Sequence, residues 1–294
     1  VPTIPANGIE ICYDDWGPRH GEPLLLVMGL GAQLISWPTG FCSALLAEGF
    51  RVIRFDNRDA GLSTKTPGPP PDGMAIIAAA SAGEVVATPY SLSDMAADAM
   101  AVLDHLKIEA AHVVGSSLGG MIAQTIAIEH HHRVRTLTSI MSTTGNPAVG
   151  KATGNAIRAL LEPAPAEREA FLDHYVRTGS VLAGGLIDPE YHRTRGAEEF
   201  DRCYHPIGSA FQLAAIAATG DRTARLASVT APTLVIHGGA DELIGVDGGH
   251  ATAAAIPGAE LLVIDDMAHS LPEQHWGAIV RAIRRVADRS LVGS

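Results

Sequence analysis

Ala111-His112-Val113-Val114-Gly115-Ser116-Ser117-Leu118-Gly119 runs directly into Gly120-Met121-Ile122-Ala123-Gln124-Thr125-Ile126-Ala127-Ile128. The first four residues are a short apolar run of the kind that makes a buried strand, and Met121 to Ile128 reads as helix. Between them stands G-x-S-x-G, which in a strand, sharp turn and helix context pushes a serine clear of the sheet. Glycines at 115 and 119 permit the crowding such a turn needs. The backbone N–H groups opening the helix point at whatever binds there. Ser117 is therefore the residue to explain. Ser116 precedes the apex and is expected to pack or hydrogen-bond locally.

Outward from this turn, short apolar runs alternate with helical patterns: Leu24 to Met28, Arg51 to Phe55, Leu137 to Met141, Thr233 to Ile236 and Leu261 to Ile264. Strands apolar on both faces and separated by helices imply a mostly parallel sheet covered on both sides. Ile9 to Trp16 follows an Asn7-Gly8 turn signal and reads as the second strand of an antiparallel hairpin. Between Met141 and Thr233 the alternation stops. Helical patterns near 152–161, 166–178, 189–204 and 207–219 are separated by Pro163, Pro165, Gly179 and Pro206. The expected organisation is an α/β core formed by 1–143 and 227–294, with a helical cap at 144–226. Thr66-Pro67-Gly68-Pro69-Pro70-Pro71-Asp72-Gly73 should be a loop.

The chain has 294 residues, 47% of them hydrophobic, enough for one large core with an insertion. Charged residues make up 18% and the net charge is −11, so the average surface repels phosphate backbones and anionic membranes. No nucleic-acid or membrane partner is expected. Cys12, Cys42 and Cys203 are odd in number and widely spaced, which fits neither a disulfide framework nor a zinc cluster. No apolar run is long enough to span a bilayer, and residues 1–30 lack a signal-type core. A soluble, cytoplasmic protein is the expectation, and a homodimer is compatible with it.

A serine hydroxyl needs a base to become a nucleophile, and the base needs an acid to orient it. In the chain order that accompanies this turn, the acid follows a late strand and the histidine follows the last one. Thr233-Leu234-Val235-Ile236-His237-Gly238 leads into Gly239-Ala240-Asp241, and Leu261 to Asp266 leads into Met267-Ala268-His269. Asp241 and His269 are thus placed with Ser117 at one sheet edge, where open α/β sheets bind ligands. The expected chemistry is two-step acyl transfer on Ser117, with His269 moving the proton and Asp241 holding the imidazole tautomer. The backbone N–H groups of Leu118 and of Leu30, in Met28-Gly29-Leu30-Gly31, are the expected oxyanion donors. No metal or organic cofactor is needed. The rate should fall with acidification, because His269 must be neutral to accept a proton.

With these motifs and Asp56-Asn57-Arg58-Asp59-Ala60-Gly61-Leu62-Ser63, the chain resembles the α/β-hydrolase superfamily over nearly its whole length. Val27-Met28-Gly29 and Met267-Ala268-His269-Ser270-Leu271-Pro272 are similar to bacterial carboxylesterases and polyketide methylesterases. The resemblance implies a mostly parallel eight-stranded sheet, a helical cap after the sixth strand, and ester hydrolysis. The expected substrate is a small to medium, largely apolar ester. Met28 stands where many relatives carry histidine, and Asp59 where many carry glycine.

Other readings compete at several positions. Glu242 and Asp247 share the loop of Asp241, and Asp265 and Asp266 lie beside His269. Ser142-Thr143-Thr144, after the sixth strand, offers no carboxylate. His130-His131-His132 point in different directions around a helix and suit its C-terminal dipole better than a metal. His237 reads as structural, and Arg58 as half of an internal ion pair. Of Leu160, Leu161, Phe171, Val181, Leu182, Leu186, Ile187 and Phe211, some should roof an apolar pocket while the rest pack the cap.

Gly29-Leu30-Gly31-Ala32-Gln33-Leu34 imitates a dinucleotide-binding turn. It lacks the third glycine, and Trp37-Pro38 interrupts the helix that should follow, which disfavours a nicotinamide oxidoreductase. A non-catalytic ligand receptor would have no need of the ordered Ser, Asp and His. Lactonase, thioesterase, carbon–carbon bond hydrolase and cofactor-free perhydrolase share the same machinery.

Overall fold

The computed structural model describes residues 1–290. In chain order its elements are β1 (Thr3–Ala6), β2 (Ile9–Trp16), β3 (Glu22–Val27), α1 (Thr39–Ala47), β4 (Phe50–Phe55), α2 (Gly73–Ser81) and α3 (Leu92–His105). There follow β5 (Ala111–Ser116), α4 (Leu118–Glu129), β6 (Val134–Ile140), α5 (Gly154–Leu161), α6 (Arg168–Leu182), α7 (Pro189–Arg202), α8 (Gly208–Thr219) and α9 (Thr223–Leu226). The chain closes with β7 (Thr233–Gly238), α10 (Val246–Ala255), β8 (Glu260–Ile264) and α11 (Glu273–Arg289).

The eight strands form one sheet in the order β1-β2-β4-β3-β5-β6-β7-β8, with β2 antiparallel to both neighbours and every pairing from β4 to β8 parallel. β1 and β2 are the hairpin expected around Asn7-Gly8, with Ala6 opposite Ile9. Strand order reverses direction at the β3/β5 pair, so the loops leaving these two strands diverge and open a crevice at their carboxyl ends.

Alternate residues of each central strand supply opposite faces of the sheet. Leu25, Val27, Ile53 and Val113 join the buried faces of α3 and α4, while Leu24, Leu26, Val52 and Val114 pack with Phe41 and Leu45 of α1 and Ile279, Ile283 and Val286 of α11. Buried side chains of α11 recur at helical spacing, Ile279, Val280, Ile283, Val286 and Ala287, which fixes the face it lays on the sheet. α3 begins with a capping box in which Ser91 and Asp94 exchange hydrogen bonds. The proline-rich loop runs one residue shorter than read from sequence. Asp72 accepts from the backbone N–H groups of Met74 and Ala75 and so starts α2 at Gly73.

Five helices, α5 to α9, intervene between β6 and β7, where the sequence broke its alternation. α8 also packs into the core through Phe211 and Ala215. Its Gln212 accepts from Gly31 N–H at 2.7 Å and donates to the Arg58 carbonyl at 2.7 Å. Arg58 forms the internal ion pair anticipated for it, donating to both oxygens of Asp98 at 2.7 Å.

One buried group makes stability depend on pH. His112 on β5 is fully buried between Thr136 and Glu22. Burial, which outweighs the favourable Glu22 carboxylate, lowers its pKa from 6.5 to about 4. The unfolded chain therefore takes up this proton first, so stability falls as pH drops from about 6.5 and levels off below about 4. The contribution lost is on the order of 3 kcal/mol. Urea unfolding should show a steeper acid decline for the wild type than for His112→Gln, and equal slopes would refute this assignment.

Candidate active site

The turn between β5 and α4 is tight. A Cβ on Gly115 would lie 2.0 Å from the Gly119 carbonyl oxygen, and one on Gly119 would lie 2.0 Å from that of Val27. Only glycine lets α4 start this close to β5 and β3. Ser117, at the apex, has φ 56° and ψ −120°, a conformation that costs a non-glycine residue roughly 1–3 kcal/mol. Beyond the bonds that its carbonyl accepts from the first turn of α4, two hydrogen bonds hold its backbone there. Its N–H donates to the Ile140 carbonyl, and its own carbonyl accepts from Ser142 Oγ, both at 2.9 Å. Ser142 thus serves the turn from the β6 end, a role that sequence reading missed.

The loops after β7 and β8 are joined by their backbones. Gly238 abuts the Met267 carbonyl, which accepts from Ala240 N–H at 3.0 Å, and Gly239 N–H donates to the Ile264 carbonyl at 2.9 Å. Asp241 and His269 meet as a result. His269 Nδ1 lies 2.7 Å from Asp241 Oδ2, and His269 Nε2 lies 2.9 Å from Ser117 Oγ. The other carboxylate oxygen, Asp241 Oδ1, accepts from the N–H groups of Leu243 and Ile244 at 2.9 Å each. With one oxygen fixed by the backbone, the other is aimed at the imidazole. His269 N–H donates in turn to the Leu182 carbonyl at the end of α6.

Competing carboxylates are engaged elsewhere. Glu242 accepts from Thr153, Asp247 from the Gly150 N–H, and Asp266 faces His275. His237 donates from Nε2 to the Ile244 carbonyl at 2.8 Å, and burial lowers its pKa, so it braces the Asp241 loop as a neutral ring. His130 ends α4, while His131 and His132 are exposed in the turn that follows. Among the described residues no group of three or more His, Cys, Asp or Glu side chains is arranged to hold a metal ion.

Opposite the turn lies the loop after β3. A Cβ on Gly29 would approach Ser117 Cβ to 3.3 Å, so the Met28-Gly29-Leu30 backbone borders the serine directly. The loop is fixed by Asn57, which donates to the Met28 carbonyl at 2.9 Å, and by the Gln212 contact to Gly31. Among the described residues, neither the Leu30 nor the Leu118 N–H is engaged in a hydrogen bond within the chain.

Ser117 and His269 open into a cavity of about 760 Å³. Its apolar walls include Met28, Leu30, Met141, Leu243 and Trp276 from the core, and Leu160, Leu182, Leu186 and Ile187 from the inserted segment. These four belong to the apolar set expected to divide between pocket and packing. Phe171 instead packs at tilted and edge-on angles among Tyr175, Phe200 and Tyr204, Phe211 is in the core, and Val181 is exposed.

A polar group on the cavity wall is not evident from sequence: Tyr175 of α6 with His192, Arg195 and Glu199 of α7. Glu199 Oε1 accepts from Ser36 Oγ at 2.6 Å and Tyr175 Oη at 3.2 Å. Burial raises the pKa of Glu199, raises that of Tyr175 well above its usual value, and lowers that of His192. The three α7 residues are spaced for one helical face, which is the signal available in the sequence.

This geometry can pass a proton from the Ser117 hydroxyl to His269 while Asp241 stabilises the resulting imidazolium. It can also present backbone donors to an oxygen beside the serine. The sequence pattern of the alpha/beta hydrolase fold family matches residues 22–275. Rhodomycin D methylesterase DnrP of Streptomyces peucetius is 30% identical over 92% of this chain and 93% of its own length. Rhodomycin D methylesterase DauP of Streptomyces sp. (strain C5) matches to the same extent. Among solved structures, a meta-cleavage product hydrolase from Pseudomonas fluorescens IP01, CumD, superimposes with a TM-score of 0.78, covering 99% of this chain and 98% of that one at 19% identity. Sheet order, the elbow at Ser117 and these matches together establish that the chain belongs to the α/β-hydrolase fold family.

Proposed function

We propose that this hydrolase cleaves carboxylic esters through an acyl-enzyme on Ser117, with His269 as the acid–base group and Asp241 as its orienting partner. The observation that carries the reading is the unbroken run of hydrogen bonds from Ser117 Oγ to His269 to Asp241, with Ser117 and His269 lining the cavity. Methylesterase relatives at 30% identity support the ester as substrate class.

In the first half-reaction Ser117 Oγ attacks the ester carbonyl carbon as His269 Nε2 takes its proton. Negative charge on the former carbonyl oxygen is met by the N–H groups of Leu30 and Leu118, which need not break internal hydrogen bonds to do so. Collapse expels the alcohol, which leaves with the proton from His269. Water then attacks the acyl-serine, loses a proton to His269, and the acid departs as Ser117 recovers its proton. The 144–226 segment acts as the cap, its α5 to α7 portion supplying the outer wall against which the substrate packs.

Assay of p-nitrophenyl and methyl esters with short, long and aromatic acyl groups tests the proposal. Saturable hydrolysis is expected of the wild type and should be lost in Ser117→Ala. Binding without turnover across the whole panel would favour a receptor instead.

A further inference from the structure

His269 is held in part by the inserted segment. α6 ends in a Schellman motif built on Gly184 and Gly185, whose φ values are 61° and 81°. Gly185 N–H donates to the Ser180 carbonyl at 3.0 Å, and Gly184 N–H to that of Val181 at 3.3 Å. The N–H groups of Ala183 and Leu186 take up the Gly179 and Ala183 carbonyls. The Leu182 carbonyl is left over, and it accepts from His269 N–H at 2.9 Å. Among the described residues, no other backbone N–H of 268–271 is hydrogen-bonded within the chain. The same turn presses on this loop from the side. A Cβ on Gly184 would lie 3.1 Å from Ala268 Cβ, closer than side chains ordinarily pack, whereas a Cβ on Gly185 would meet nothing within 4 Å.

We propose that Gly184 is a positioning residue for His269. Lacking a side chain, it lets the end of α6 close onto Ala268, which keeps the Leu182 carbonyl on the His269 N–H and Nε2 within reach of Ser117 Oγ. Asp241 orients the ring but does not fix the backbone from which the ring hangs. That backbone is tied to the core at Met267, whose carbonyl accepts from Ala240, and to α6 at His269. A side chain at position 184 must push Ala268 away by a few tenths of an ångström, and the next residue along the chain is His269. Proton transfer across a 2.9 Å contact is sensitive to such a shift, since a misplacement of about 1 Å can cost on the order of a hundredfold in rate. The inserted segment is thereby a support for the catalytic base as well as a wall of the cavity. This deepens the esterase reading and rests on it.

The test compares Gly184→Ala with Gly185→Ala, and repeats Gly184→Ala in an Ala268→Gly background. Both alanines force a β-carbon into left-handed backbone, so urea unfolding should show comparable losses of stability. Only the first meets Ala268. Two rates are read: kcat/KM for a p-nitrophenyl ester, and the second-order rate at which a p-nitrophenyl alkylphosphonate labels Ser117, which needs the base but no ester turnover. Gly184→Ala should lower both rates about tenfold and Gly185→Ala by less than about twofold. Measured against Ala268→Gly alone, adding Gly184→Ala should cost less than about threefold, because the contact that displaces His269 is gone. A merely structural role for the turn would lower both glycine variants alike and would not respond to Ala268→Gly. If Gly184→Ala does not fold, Gly184→Asn takes its place, since it carries the same Cβ and tolerates left-handed backbone. Undiminished rates at position 184, an equal loss in Gly185→Ala, or a loss that persists in full with Ala268→Gly would each overturn the proposal. Absence of ester turnover by the wild type with the labelling pattern intact would refute the esterase reading and leave the role of Gly184 standing.

Discussion

Ser117→Ala is expected to lower kcat/KM for ester hydrolysis by about five to six orders of magnitude. The loss is large because the hydroxyl is the nucleophile of the first half-reaction and the leaving group of the second, so without it no acyl-enzyme forms. Residual activity over water should come only from the Leu30 and Leu118 N–H groups and from the cavity. The fold should be little affected, within about 1 kcal/mol, because the turn is held through the Ser117 backbone by Ile140 and Ser142 rather than through Oγ. Urea unfolding alongside the kinetics separates the two effects. Activity within tenfold of wild type in a folded variant would remove Ser117 from the mechanism.

Asp241→Asn should cost about 10⁴-fold in kcat with the structure nearly intact. The amide can keep its oxygen on the Leu243 and Ile244 N–H groups, which currently hold Oδ1. Its NH₂ would then face His269 Nδ1, turning that nitrogen into an acceptor and placing the ring proton on Nε2, against Ser117 Oγ. The imidazole would sit in the right place in the wrong tautomer. Raising the pH should not restore the rate, since the defect lies in which nitrogen carries the proton. A loss below tenfold would show that another group orients His269.

The features that could be read from the sequence are those encoded locally. Each of Ser117, Asp241 and His269 follows an apolar run at a strand end, so once the strands are parallel their loops must emerge at one edge. The glycines at 115 and 119 were legible for the same reason, since their role is set by neighbours a few residues away. Arg58 was legible as a structural cation because an arginine set among loop carboxylates is more often tied down by an internal ion pair than left for a ligand, although Asp98 could not be named without the fold.

The polar part of the cavity wall was not legible. His192, Arg195 and Glu199 share a face in any α7, but whether that face meets solvent or the cavity depends on how α7 packs over the loop after β3. Contacts such as Gln33 Nε2 to the Glu199 carbonyl, and Arg202 to Asp56, span well over a hundred residues. The division of the apolar cap residues was hidden likewise: Leu182 and Leu186 line the cavity while Phe171 packs an aromatic cluster, and nothing in their local sequence separates them. α3 is faint in the sequence even though Ser91 and Asp94 carry a capping-box spacing, because half of its buried face is alanine and methionine.

Labelling with a p-nitrophenyl alkylphosphonate, followed by intact mass and peptide mapping, tests the central claim most directly. The account predicts rapid loss of activity with a single phosphonyl group, located on Ser117 and absent from Ser116, and no labelling of Ser117→Ala. Inactivation with the group on any other residue, or undiminished ester hydrolysis by protein labelled at Ser117, would contradict it.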